Sequence, residues 1–111
     1  MPIDAARVEA TLLDLLRTPS FSGQESAVSR LVEARLTALG LAVERDEAGA
    51  TFGGDCGNLI ARLPGTVTAE PIFLNSHLDT VQPTHGLDPV VTDGIVRSNG
   101  TTILGADDKA G

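Results

Sequence analysis

Apolar side chains recur at Val8, Leu12, Leu15 and Leu16, the i, i+4, i+7, i+8 spacing that lines one face of a helix. With Asp4 as N-cap, the pattern predicts a helix over Asp4 to Arg17, ended by Thr18-Pro19-Ser20. Ser22-Gly23-Gln24-Glu25 reads as a capping box, in which the serine and glutamate side chains each satisfy a free backbone N–H. A second helix follows, with Val28, Leu31, Val32, Leu36 and Leu39 on one side and Gly40 closing it. The periodicity then changes from helical to alternating. Leu41 to Arg45 predicts a strand, Asp46 to Gly57 with its four glycines a loop, and Asn58 to Leu63 a second strand ended by Pro64-Gly65. Pro71 to Ser76 is a short apolar run bounded by turn signals, which predicts a strand buried on both faces in the middle of a sheet. After a loop over Thr80 to Pro89, Val90-Val91-Thr92 and Ile95-Val96-Arg97 flank Asp93-Gly94, a strong hairpin signal. Thr101 to Leu104 predicts a last short strand, and Gly105 to Gly111 a loop on the point of becoming a helix. Helices followed by strands, with an inserted hairpin, predict an α/β fold: a layered, mixed sheet with flanking helices.

Composition narrows the function classes. The chain has 111 residues, 15 acidic and 8 basic, for a formal charge of −7. That balance argues against a general nucleic-acid binder, which needs clustered Lys and Arg. Three phenylalanines and no tyrosine or tryptophan also leave little for base stacking. At 41% hydrophobic and 21% charged the chain can build a core, and its length holds one domain at most. A domain near this size buries roughly two-thirds of the surface its unfolded chain exposes, provided that its layers are complete. The single Cys56 excludes an intramolecular disulfide and a cysteine-based structural zinc site, and fits a reducing, cytoplasmic setting. Neither a secretory signal nor an apolar stretch near the ~18 residues of a membrane span is found, so a soluble protein is expected.

Two short motifs could carry chemistry. His77-Leu78-Asp79 follows the predicted central strand at its C-terminal end, where ligand-binding groups gather in open α/β sheets. In extended backbone, residues i and i+2 project to the same side, so Asp79 can reach the His77 ring. His77 would then bind a metal through one ring nitrogen while Asp79 accepts the proton of the other and fixes the tautomer. The bland alternative is a strand end beside a solvated aspartate. Asp107-Asp108 supplies adjacent carboxylates behind Gly105, suited to hard or borderline divalent cations. Neighbouring side chains diverge, so one of the two is expected to be a direct ligand. Here the alternative is an acidic helix N-terminus favoured by the helix dipole.

In combination the motifs say more. The run His77-Leu78-Asp79-Thr80-Val81, then Asp93-Gly94-Ile95-Val96, then Ser98 to Gly111 ending in Gly105-Ala106-Asp107-Asp108-Lys109-Ala110-Gly111 closely resembles the zinc exopeptidases of the M20 family, specifically their peptidase T-like branch. The N-terminal stretch with Pro19-Ser20 and Ser22-Gly23-Gln24-Glu25 also resembles the start of such enzymes. The resemblance covers essentially the whole chain. It implies that residues 1–111 are the N-terminal portion of a zinc-exopeptidase (phosphorylase/hydrolase-like) catalytic domain, with the lid or dimerisation domain and the C-terminal part absent. It further implies that His77 is a terminal ligand to one zinc, that Asp107 bridges two, and that Asp79 orients His77 within the catalytic machinery. A cis peptide after Asp107 is expected on the same ground, and no ligand role passes to Asp108. The implied cofactor is a pair of zinc ions, with cobalt or manganese as substitutes.

The resemblance implies a cytoplasmic aminopeptidase that hydrolyses short peptides, tripeptides above all, and admits a homodimer of the full-length protein. No nucleic-acid or membrane partner is expected. An M20-type deacylase or carboxypeptidase using the same ligands is the nearest rival. A complete enzyme of this kind adds a Glu-Glu pair whose first member is the general base, a further carboxylate and a distal histidine. Those would lie beyond Gly111, so the 111 residues alone are expected to be inactive, and a non-catalytic α/β module is the reading from a different class. His85 is expected to be solvated and Cys56 to be an incidental thiol. Lys109 either neutralises the acidic cluster or extends into solvent.

Overall fold

Both helices form where the periodic stretches lie. A computed structural model describes residues 1–111. Helix α1 spans Ala5–Arg17, and the Asp4 carboxylate accepts from the Arg7 N–H at 3.1 Å, as its N-cap position requires. Helix α2 spans Ser26–Ala38. It starts one turn later than a capping box at Ser22 would set it, because Phe21 to Gln24 forms a tight turn closed by the Gln24 N–H and the Phe21 carbonyl at 2.7 Å. Asp55 caps α2 instead, its carboxylate accepting from the Ser26 N–H at 3.0 Å. The Glu25 carboxylate turns back to the Gly23 N–H at 2.9 Å.

Strands β1 (Ala42–Arg45) and β2 (Leu59–Arg62) pair antiparallel with Val43 opposite Ala61. The loop between them holds a short 3-10 helix over Ala48–Phe52. The Asp46 carboxylate ties the loop ends together, accepting from the N–H groups of Ala48 and Asn58 and from the Asn58 side chain. Helix α2 packs across this hairpin, and Arg45 reaches it to meet Ser29 and, at 2.5 Å, Glu33. A second hairpin joins β3 (Val90–Thr92) to β4 (Ile95–Arg97). Asp93 and Gly94 have φ of 52° and 73°, the left-handed pair that a two-residue turn demands.

Two predicted strands do not form. Pro71 to Ser76 is unpaired, and Ile72, Phe73 and Leu74 are 88%, 84% and 87% exposed rather than buried in a sheet centre. A strand needs neighbours on both edges to be central, and here β1 pairs only with β2 and β3 only with β4, in two separate sheets. Thr101 to Leu104 is also irregular. Asn99 captures the Thr101 N–H and hydroxyl with its side-chain oxygen, so local turn bonding replaces a ladder there.

The core is correspondingly thin. Leu16 and Val28 are its buried apolar side chains, joined by the buried polar residues Ser20, Ser29 and Thr80. The accessible surface is 8047 Å², whereas a compact monomer of 11.5 kDa exposes roughly 5,800 Å². The radius of gyration, 15.5 Å, likewise exceeds the ~13 Å of a compact chain of this length. These 111 residues therefore build the frame of α/β layers without closing a core around the apolar run at 72–74.

Candidate functional site

The site lies where the extended segment ends. Thr80, the buried residue just past it, donates its N–H to the Ser20 carbonyl at 2.9 Å, and Phe21 bridges to Thr80 in parallel. That anchor fixes the backbone immediately after His77-Leu78-Asp79. A second segment arrives from the other end of the chain. The Ser76 hydroxyl donates to the Asp108 carbonyl at 3.2 Å, and a turn over 107–110 is closed by the Ala110 N–H on the Ala106 carbonyl. The Asp107-Asp108 peptide is cis, as expected, and so is Gln82-Pro83.

His77, Asp79 and Asp107 converge. His77 Nδ1 lies 2.9 Å from the Asp79 carbonyl oxygen and 3.0 Å from Asp79 Oδ1. Both of those atoms only accept, so Nδ1 carries the proton and donates. In the neutral ring this leaves Nε2 with a lone pair, and Nε2 faces Asp107 Oδ2 at 3.5 Å. An imidazole lone pair and a carboxylate repel each other unless a proton or a cation lies between them. The pKa values register that field. Partial desolvation pushes the His77 pKa down, but the Asp79 carbonyl and carboxylate and the Asp107 charge outweigh it and hold it above the ordinary value. Asp79 is held below the usual carboxylate range, first by the Ser22 hydroxyl, against a smaller desolvation effect, and then by His77.

The donor set fits a divalent metal such as zinc. Zn–N of about 2.0–2.1 Å and Zn–O of about 2.0–2.2 Å put neighbouring ligand atoms of a tetrahedron roughly 3.3–3.5 Å apart. The His77–Asp107 separation falls within that edge length. The Asp107 carboxylate takes part in no other ion pair and is 96% exposed, so it is free to ligate. No further His, Cys, Asp or Glu joins these two closely enough to supply a third ligand.

Two residues bear on the site in ways their local sequence did not reveal. Ser22, read as a helix cap, donates its hydroxyl to Asp79 Oδ2 across 57 positions of sequence. Lys109 neither neutralises the acidic pair nor extends into solvent. It is half-buried and donates to the carbonyls of Leu15 at 2.7 Å and Thr18 at 2.9 Å, at the C-terminal end of α1. Desolvation lowers its pKa. His85 is exposed. Cys56 lies with Glu25 and Asp55 in a small cluster whose ligand atoms are all within 4.8 Å of one another. Burial, followed by the charges of Asp55 and Glu25, pushes the Cys56 thiol up, away from the nucleophilic thiolate.

No family model matches the chain. Among individual proteins, it is 38% identical over 109 residues to the uncharacterised protein YqjE of Bacillus subtilis, covering 98% of this chain and 29% of that one. Two crystal structures superpose on it. One is a tripeptidase from Staphylococcus aureus, with TM-score 0.89 and 39% identity, and the other is aminopeptidase PepT from Bacillus cereus, with TM-score 0.90 and 38% identity. Each is matched over 96% of this chain and 29% of its own, so the chain spans less than a third of the length of these relatives. No helix is long and apolar enough to cross a membrane. In sequence and in α/β fold, then, the structural neighbours of this chain are peptidases of the PepT tripeptidase and aminopeptidase kind, which is the likeness its motifs imply.

Proposed function

We propose that residues 1–111 form the N-terminal portion of the catalytic domain of a metal-dependent peptidase that removes the first residue from short peptides, tripeptides in particular. The observation that carries this reading is the placement of one imidazole between two carboxylates, with Asp79 on the protonated Nδ1 and Asp107 3.5 Å from the lone pair of Nε2. The likeness to a tripeptidase and an aminopeptidase supports the substrate class.

In this reading His77 Nε2 and the Asp107 carboxylate would hold zinc, and the second oxygen of Asp107 would remain available to a second ion. Zinc bound there would polarise a peptide carbonyl and make water a stronger acid. The residues of this chain supply the setting. Asp79 keeps the proton on Nδ1, which leaves Nε2 a ligand and makes the ring more basic. Catalytic zinc takes three protein ligands, and each ion here would draw one or two from these 111 residues. The remaining ligands and the proton-transferring base therefore come from outside residues 1–111, and the 111 residues by themselves hydrolyse no peptide.

The full-length protein, loaded with zinc, is to be given unmodified tripeptides and their N-acylated counterparts. Release of the N-terminal residue from the unmodified set is expected. Activity confined to N-acylated substrates would replace this function with a deacylase using the same ligands. Cleavage from the C-terminal end would replace it with a carboxypeptidase.

A further inference from the structure

We propose that Ser22 is a positioning residue of the metal centre, whose hydroxyl locks the Asp79 carboxylate and so fixes the orientation of His77. The inference deepens the metal-centre reading and rests on it. Its basis is a continuous chain of contacts, from Ser22 Oγ to Asp79 Oδ2, from Asp79 Oδ1 to His77 Nδ1, and from His77 Nε2 to Asp107 Oδ2. The two oxygens of Asp79 thus have separate partners. A carboxylate held at one oxygen can swing about its Cβ–Cγ bond, whereas one held at both cannot. Without Ser22, Oδ2 would fall to solvent, because the Asp79 side chain is 37% exposed.

Ser22 is itself held in place by backbone. Its turn is closed by Gln24 on Phe21, bridged to Thr80 through Phe21, and pinned at Gly23 by the Asp55 N–H at 3.0 Å. The hydroxyl caps no helix, since α2 begins only at Ser26, where the Asp55 carboxylate accepts from the first N–H. Ser20, two residues earlier, makes the contrast clear. Its hydroxyl is buried and without a partner, while the exposed Ser22 hydroxyl is committed to a residue 57 positions away. Burial does not explain that contact, and orientation of Asp79 does.

The test is zinc affinity, measured by chelator competition on the full-length protein as wild type, Ser22→Ala, Ser22→Thr, Asp79→Asn and the Ser22→Ala/Asp79→Asn double variant. Loss of a group that orients a ligand typically weakens metal binding by about 10–100-fold. Ser22→Ala is expected to weaken zinc about tenfold, with Ser22→Thr within about twofold of wild type because it keeps the hydroxyl. In the Asp79→Asn background Ser22→Ala should change affinity by less than about twofold, since its route to the metal is already cut. Kinetically, kcat should fall in Ser22→Ala with KM unchanged. Wild-type affinity in Ser22→Ala, an equal loss in both backgrounds, or failure of Ser22→Thr to restore binding would each overturn the inference. His77→Ala separates the two levels. If it abolishes binding while Ser22→Ala has no effect, only the role of Ser22 fails. If it leaves binding intact, the metal centre itself is misplaced, and the role of Ser22 falls with it.

Discussion

Replacing Lys109 with methionine keeps the aliphatic stem and removes the ammonium that holds the Asp107 segment against α1. Two hydrogen bonds disappear, to Leu15 O and Thr18 O. Hydrogen bonds from a charged donor contribute about 1.5–3 kcal/mol each, so the gross loss is about 3–6 kcal/mol. Part of this is returned, because a half-buried ammonium is costly to desolvate, which is the cause of the lowered Lys109 pKa. The carbonyls also fare differently. Leu15 O keeps the Thr18 N–H at 3.2 Å, whereas Thr18 O has no backbone donor. One orphaned acceptor and one lost tether give a net loss of about 2 kcal/mol, roughly thirtyfold in the folding equilibrium. The consequence for function follows from position. Asp107 lies two residues from Lys109 and has no hydrogen bond of its own, so freeing the clamp is expected to weaken zinc binding about tenfold. Urea unfolding of the full-length protein, with and without zinc, reads both effects. A Lys109→Met variant with stability within about 0.5 kcal/mol of wild type and unaltered zinc affinity would refute the clamp.

Three further outcomes are expected. A Cβ on Gly49 would lie 1.9 Å from the Cys56 carbonyl oxygen, backbone that cannot rotate aside, so Gly49→Ala should cost about 3 kcal/mol or more in stability by denaturant unfolding; tolerance of alanine would mean that this loop packs otherwise. In the metal-free protein the His77 pKa should exceed the ordinary ~6.5, so its contribution to stability is complete below that pH and is lost as pH rises through the higher folded-state value. NMR titration of the ring checks this, and Asp79→Asn should bring the midpoint down; a midpoint at or below ~6.5 with Asp79 intact would contradict the contact geometry. The Asp46 pKa is lowered by Asn58 and then by the Ala48 N–H, so its support for the 46–58 loop is present above ~3.8 and fades as pH falls through the lower folded-state value. Asp46→Ala should accordingly speed hydrogen exchange at the Ala48 and Asn58 amides, and unchanged rates there would show that the loop does not depend on this carboxylate.

What could be read from the sequence divides by the range of the interaction. Helix α1, its Asp4 cap, the β3–β4 hairpin and its left-handed Asp93-Gly94 turn depend on neighbours a few residues away, and local pattern found them; strands β1 and β2 were legible singly, but not their pairing across the 46–58 loop. The pairing of His77 with Asp79 was legible for the same reason, being an i, i+2 relation in extended backbone. The approach of Asp107 to His77, across 30 positions, came from likeness to a known family. The Pro71–Ser76 run signals that Ile72, Phe73 and Leu74 favour burial, but apolar periodicity cannot say which segment does the covering. None of residues 1–111 pairs with it. Ser22 and Lys109 escaped because each answers to a distant partner. The Ser22 hydroxyl had a plausible local use as a cap and went to Asp79 instead, while Lys109 reaches back 94 and 91 residues to the end of α1. Strong local motifs can be outbid by one long-range contact once the backbone has been positioned for it.

The central claim is that His77 Nε2 and the Asp107 carboxylate share a cation. Anomalous diffraction at the zinc edge from crystals of the full-length protein tests it most directly. The expected result is a peak about 2.0–2.2 Å from both His77 Nε2 and an oxygen of Asp107, with Nδ1 still on Asp79. A zinc peak bound elsewhere, or His77 and Asp107 remaining ~3.5 Å apart in zinc-saturated crystals with no anomalous signal beside them, would contradict it.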